Sequence, residues 1–389
     1  MDTKLPKDLV LCLDGTGNEF GDSNSNVVKL YATLGKSERQ LCYYHPGLGT
    51  RGDPNALTKL AKWWTKVLGM AFGYGMSRDL ADAYSFLMAE YEPGDRVFVF
   101  GFSRGAYTAR ALCGMLHMFG LLRARQEVLI QYMIRMMRKA DDPKTFEIAQ
   151  QFQDTFSRKC PIYFLGVWDT VTSVGWVYSP VIIPFTTNNP DLHIARHAIS
   201  LDEHRAFYRR NLLGAPLPGQ NFQQVWFPGV HSDVGGSYPE PQSGLSKIAL
   251  RWMLDEARTA GLSLDEDKVR EILGETGSAY ARADAAAMPP HISLHGWWWV
   301  LEFFPKRHKV KTADGKWVQR WELPMAKPRE VPLNAVLHPS VKERQERVPD
   351  YRPVNLPPGT AVHRPVSAIW RLAAILAVVA GAVYLRFLR

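Results

Sequence analysis

Only four of the 389 residues are cysteine (Cys12, Cys42, Cys113 and Cys160), and none forms a C-x-x-C pair, which excludes a disulfide framework and a thiolate zinc site. They read as reduced core residues. The chain has no internal repeats and no nucleic-acid-binding signature, although its net charge of +9 calls for an anionic partner. Charge alone does not choose between a phospholipid surface and nucleic acid. Residues 1–8 are not followed by the apolar run of a secretory leader, so synthesis in the cytoplasm is the default expectation. Neither a metal nor a cofactor is expected.

What the chain does have is an ordinary globular composition, 46% hydrophobic and 22% charged, enough for one large α/β domain with an appendage. Its organising stretch is Asp95 to Arg110. Arg96 to Phe100 is a short apolar run rich in Val and Phe, as in a strand buried on both faces, and from Arg104 onward apolar residues recur at helical spacing. Between them lies Gly101-Phe-Ser103-Arg-Gly105, a G-x-S-x-G in strand-to-helix context. The glycines permit the sharp turn that exposes a serine hydroxyl at a helix N-terminus, so Ser103 is the expected nucleophile. A glycine-flanked serine capping a helix is the plainer alternative.

Other strands also end in chemistry-bearing residues. Leu9 to Leu13 runs into Asp14-Gly-Thr-Gly-Asn18, a turn placed to line a site at the carboxyl end of a parallel strand. Backbone N–H groups of Gly15 and Thr16, with that of Arg104, are the expected oxyanion donors. Asp14-Gly-Thr16 also resembles part of the D-x-D-G-T of haloacid-dehalogenase-like phosphatases, but Cys12 stands where those enzymes keep their nucleophilic Asp. Ile162 to Trp168 ends in Asp169, the expected carboxylate partner of a histidine, with Asp14 as its rival. Gln224 to Phe227 leads to His231, the expected base, and His338 is the alternative base. The order Ser103, Asp169, His231 is that of α/β hydrolases, with gaps of 66 (169 − 103) and 62 (231 − 169) residues. Asp233 either holds its loop or binds a cation.

Taken together, Asp14-Gly-Thr-Gly-Asn18, His45-Pro-Gly-Leu-Gly-Thr50, Gly101-Phe-Ser-Arg-Gly-Ala106, Trp168-Asp-Thr-Val171 and Gly229-Val-His-Ser-Asp-Val-Gly-Gly236 resemble an α/β-hydrolase family. That family was long catalogued as a domain of unknown function and includes the phospholipase effectors of type VI secretion. The resemblance implies a Ser, Asp, His triad on an α/β-hydrolase core and, for the effector members, phospholipase activity.

Lys59 to Met76, rich in Trp and Phe, reads as a lid or membrane-facing helix or as one packed on the sheet. After Gly261 the chain becomes charged, and His295 to Pro305 concentrates aromatics that suit either a bilayer interface or a seal over the core. Lys306 to Pro324 alternates around Asp314-Gly315 like a basic hairpin. Ala368 to Leu388 is almost wholly apolar for 21 residues, about the ~20 a bilayer span needs. The expected architecture is a mainly parallel α/β sheet flanked by helices, with a C-terminal appendage and one transmembrane helix. Its parts are a catalytic domain over 8–261, a basic aromatic subdomain over 262–328, a proline-rich linker over 329–365 and an anchor over 366–389. The expected protein is a bacterial serine hydrolase acting on an ester of a lipid or similar amphipathic substrate, not on nucleic acid. It is expected on a single-pass anchor with its catalytic domain in the cytoplasm. A non-lipolytic esterase or thioesterase and a non-catalytic membrane scaffold are the alternatives. Protein partners are left unassigned.

Overall fold

The computed structural model describes residues 5–15, 21–47, 70–140, 142–171, 175–176, 179–180, 183–286, 291–296, 298–303, 305–311, 317–358 and 361–362. Its centre is one sheet of eight strands: β1 (Asp8–Leu13), β2 (Gln40–His45), β3 (Arg96–Phe102), β4 (Ile162–Trp168), β5 (Leu192–Ser200), β6 (Asn221–Phe227), β7 (Val336–Leu337) and β8 (Ala361–Val362). They run side by side in the order β2-β1-β3-β4-β5-β6-β7-β8, and every pairing is parallel. The continuous apolar runs follow from this. A parallel strand is covered on both faces, so Val97 to Phe100 are all fully buried instead of alternating with polar residues.

Alternate residues face opposite layers. Leu9, Leu11, Val97 and Val99 pack with α2 (Met70–Glu90), α3 (Arg104–Phe119), α4 (Ile130–Met137) and α5 (Pro143–Phe156). Val10, Cys12, Phe98 and Phe100 pack on the other face with α1 (Asn26–Thr33), α6 (Gly244–Thr259) and α7 (Glu266–Ile272). The chain leaves β1 for one face and β3 for the other. Adjacent strands whose connections diverge open a crevice at their carboxyl ends, and Asp14 and Ser103 both lie there.

Several expectations are corrected by the packing. Residue 261 is no boundary, because Leu262, Val269, Ile272 and Leu273 join the core beside α1. The segment expected as a linker carries β7, α8 (Pro339–Arg347) and β8, which widen the sheet beyond β6. Its Val331, Ala335, Leu337 and Val341 form a third buried cluster with Ile199, Leu201 and Trp226. The prolines do not prevent this: Pro339 occupies the first turn of α8, where no backbone donor is needed. Lys306–Lys311 and Trp317–Glu322 do pair antiparallel as a hairpin.

The expected membrane anchor has no counterpart among the described residues. Among the described residues no helix is long and apolar enough to cross a membrane, and 366–389 lies outside them. The proposed lid residues 59–69 lie outside them as well, while Met70 to Met76 begin α2.

Candidate active site

Parallel strands deliver their carboxyl ends to one edge, and the registers align those ends. Phe102 pairs with Trp168, Trp168 with Ala198, and Ser200 with Phe227, so Ser103, Asp169, Ser200 and the loop to His231 emerge side by side. Ser103 sits at φ 59° and ψ −119°, a conformation that costs a non-glycine residue on the order of 1–3 kcal/mol and that the surrounding packing must enforce. Gly101 and Gly105 make the turn possible. A Cβ on Gly101 would lie 2.6 Å from the Gly105 carbonyl oxygen. The result aims the Ser103 side chain at the edge instead of capping α3, with which it makes no side-chain hydrogen bond.

The Ser103 Oγ lies 2.8 Å from His231 Nε2, and His231 Nδ1 lies 2.5 Å from Asp169 Oδ2. All three residues are buried. The imidazole is held between the rings of Phe102, 4.7 Å away, and Tyr208, 4.6 Å away. Burial draws the His231 pKa below its ordinary 6.5, outweighing the opposing pull of Asp169. A neutral imidazole at neutral pH donates Nδ1–H to Asp169 and leaves Nε2 to accept from Ser103.

Asp169 is surrounded by donors. Its Oδ1 accepts from the Ser200 N–H at 2.9 Å and from Arg329 Nη1 at 2.6 Å, and its Oδ2 accepts from Arg329 Nη2 at 3.0 Å. Burial would raise this carboxyl, but the Arg329 guanidinium and the His231 bond outweigh it and hold the group well below the usual carboxylate range. Asp169 is therefore ionised throughout the working pH range.

A second buried acid stands behind the histidine. Glu203 accepts the His231 backbone N–H at 3.2 Å and the Ser293 hydroxyl at 2.9 Å. It also accepts two bonds from the Arg205 guanidinium, at 2.9 Å each. Burial would raise Glu203, but Arg205 brings it down to about 2. The Arg205 guanidinium then lies 3.9 Å from the centroid of the Tyr208 ring, which fixes the ring that covers His231.

The other expected residues have different places. His338 caps α8, its Nδ1 2.8 Å from Ser340 Oγ, and stacks on Phe227 at 4.5 Å, while His231 stands against Ser103. Asp14 accepts from Ser25 Oγ at 2.6 Å and Tyr44 OH at 3.1 Å, so it braces the end of β1 while Asp169 takes the histidine. The Gly15 N–H donates to Asp14 Oδ1 at 2.6 Å and is thus engaged, and Thr16 lies outside the described residues. Arg104 opens α3 immediately after Ser103, at the positive end of the helix dipole. Asp233 holds its loop through the Val230 N–H at 3.0 Å and His291 at 2.6 Å.

Arg329, Glu203, Ser200 and Tyr208 are not among the residues expected from the sequence. Glu203 carried a readable signal, since the apolar end of β5 runs into Asp202-Glu203 just as β4 runs into Asp169. Arg329, 160 positions from Asp169, carried none.

Comparison with known proteins adds to this geometry. Residues 7–256 match the family model described as the catalytic domain of Tle1-like phospholipase effectors of the type VI secretion system. An uncharacterized protein of Saccharomyces cerevisiae, YEL023C, is 36% identical over 229 residues, which is 54% of this chain and 33% of that protein. The chain thus spans about a third of that relative, and a yeast relative assigns no bacterial source. Among solved structures, an uncharacterized protein from Pseudomonas aeruginosa aligns with a TM-score of 0.40 and 21% identity, covering 67% of this chain and 46% of that one. The Tle1 effector bound to the VgrG spike of the type VI secretion system aligns with a TM-score of 0.45 and 13% identity, covering 84% and 92%. The matched description names secretion-system effectors, against the expected anchored cytoplasmic localisation.

Proposed function

The chain belongs to the family of Tle1-like phospholipase effectors of type VI secretion, and from that premise we propose that it hydrolyses a carboxylic ester of a phospholipid or similar amphipathic lipid as an α/β hydrolase. The observation that carries this reading is the hydrogen-bonded run from Ser103 through His231 to Asp169, mounted on a strained elbow. In this mechanism Ser103 Oγ attacks the ester carbonyl as its proton passes to His231 Nε2. Asp169 holds the ring in its tautomer and stabilises the imidazolium without taking its proton. The Arg104 N–H and the α3 dipole face the oxyanion. When the tetrahedral species collapses, the ester C–O bond breaks and His231 protonates the leaving alcohol. Water, activated by the same histidine, then releases the acyl group and restores Ser103.

The test combines a fluorophosphonate probe, with the modified peptide mapped, and hydrolysis assays. The assays compare phospholipid vesicles, short-chain esters and acyl thioesters. Labelling at Ser103 with release of fatty acid or lysolipid is expected. Turnover of short esters or thioesters alone would replace the lipid reading by an esterase or thioesterase. Absence of both labelling and turnover would leave a binding scaffold.

A further inference from the structure

We propose that Arg329, which lies 73 residues past the end of the span that matches the family model (329 − 256), is a positioning residue for Asp169. It fixes the carboxylate for its bond to His231 and balances its charge. The proposal rests on the Ser103, His231, Asp169 reading above.

The geometry is a fork on a fork. Nη1 and Nη2 of Arg329 meet Oδ1 and Oδ2 of Asp169 at 2.6 and 3.0 Å, so the carboxylate cannot rotate about its own axis without breaking one bond. The guanidinium is itself anchored. Nη1 also donates to the Ser200 carbonyl oxygen at 3.1 Å and to its Oγ at 2.8 Å, and Nη2 donates to the Tyr208 carbonyl oxygen at 2.5 Å. The Arg329 carbonyl oxygen accepts from Asn355 Nδ2 at 2.9 Å, and the same amide holds the Leu201 carbonyl at 3.0 Å. One side chain therefore ties together the end of β4, the end of β5 and the residue whose ring covers His231. Asp169 itself has a positive φ of 38°, so its backbone does not sit in a relaxed well that would hold it unaided.

Charge supplies the second half of the argument. Asp169 is faced by His231 from the turn after β6, by Ser200 and His197 from β5, and by Arg329 from the segment before β7. Burial pushes His197 down to about 3, so it is neutral, and Arg329 is the permanent cation against this carboxylate. His231 is faced in addition by Glu203, Arg205 and Tyr208. Without Arg329 the buried carboxylate would draw its compensating charge from His231, favouring the imidazolium. Such a histidine no longer accepts a proton from Ser103 at neutral pH.

The experiment follows the His231 ring by NMR in protein with isotope-labelled histidine, the resonance being identified by its loss in His231→Gln. Full-length wild type, Arg329→Gln and Arg329→Lys are titrated. The His231 pKa is expected to rise by about one unit or more in Arg329→Gln, as when a neutralising partner leaves a buried ion pair. A smaller rise is expected in Arg329→Lys, which keeps the charge and loses the fork. The pH profile of fluorophosphonate labelling should move its acid limb upward in step. An unchanged His231 pKa overturns the proposal, and so does a labelling rate that falls equally at every pH. If Arg329→Gln does not fold, the lysine variant decides by the same measurements. Failure of wild type to label at Ser103 would instead sink the hydrolase reading, while the histidine titration still reports on Arg329.

Discussion

A Cβ placed on Gly105 would lie 2.2 Å from the carbonyl oxygen of Leu13 and 2.5 Å from that of Asp14. The first turn of the elbow helix therefore rests directly on the end of β1, and the two loops that border the crevice form one unit. Because both obstacles are backbone, no flexible side chain can yield.

Gly105→Ala should destabilise the protein by about 2 kcal/mol or more and slow labelling at Ser103, since the helix must shift to admit the methyl group. Thermal melts against Gly21→Ala, where nothing lies within 4 Å of the added carbon, give the comparison. Equal melting temperatures for the two variants would contradict the contact.

The two candidate bases separate cleanly. His231→Ala should lose Ser103 labelling as completely as Ser103→Ala loses hydrolysis, because nucleophile and base act as a unit. His338→Ala should keep activity and lose about 1 kcal/mol of stability with the α8 cap. An inactive, fully folded His338→Ala would reverse the assignment.

The histidine also sets a pH dependence. Its pKa is lowered below the ordinary 6.5, and the neutral ring is the active form. Activity is lost as pH falls through that lowered value, so kcat/KM should hold its plateau through mildly acidic conditions. An acid limb above the ordinary histidine value would contradict the assigned environment.

Glu203 predicts a stability change that is likewise lost on acidification, in a window set by its own depressed pKa. Its folded pKa of about 2 is depressed from 4.5, so its contribution is present above 4.5 and disappears as pH falls toward 2. Glu203→Gln should cost on the order of 3 kcal/mol at neutral pH, from a depression of roughly two units. Chemical denaturation of both proteins should show the gap narrowing below pH 4.5 and closing as pH approaches about 2. A gap that persists in acid would mean that packing, not charge, makes the difference.

The strands whose signal is local are legible without any structure. Leu9 to Leu13, Val97 to Phe100 and Phe164 to Trp168 carry no polar side chain before Trp168 because both faces are covered, and that pattern needs no knowledge of partners. The positions of Ser103, Asp169 and His231 after strands are legible in the same way, and a parallel sheet brings all such ends to one edge.

The remaining features depend on contacts between distant segments. β5 carries Arg196 and His197 in its interior, and it is held as a strand by parallel ladders to β4 and β6, with Glu256 on α6 pairing the buried Arg196 at 2.5 Å. β7 and β8 are two residues each and exist as strands because β6 has an open edge for them. His231 and His338 both follow strands, so spacing could not separate them. One strand position in the sheet decides which ring faces Ser103. Arg329 lies in a proline-rich stretch that offers no period to read. Its place beside Asp169 follows from hydrogen bonds made 160 residues away, and such contacts leave no mark on the neighbouring sequence.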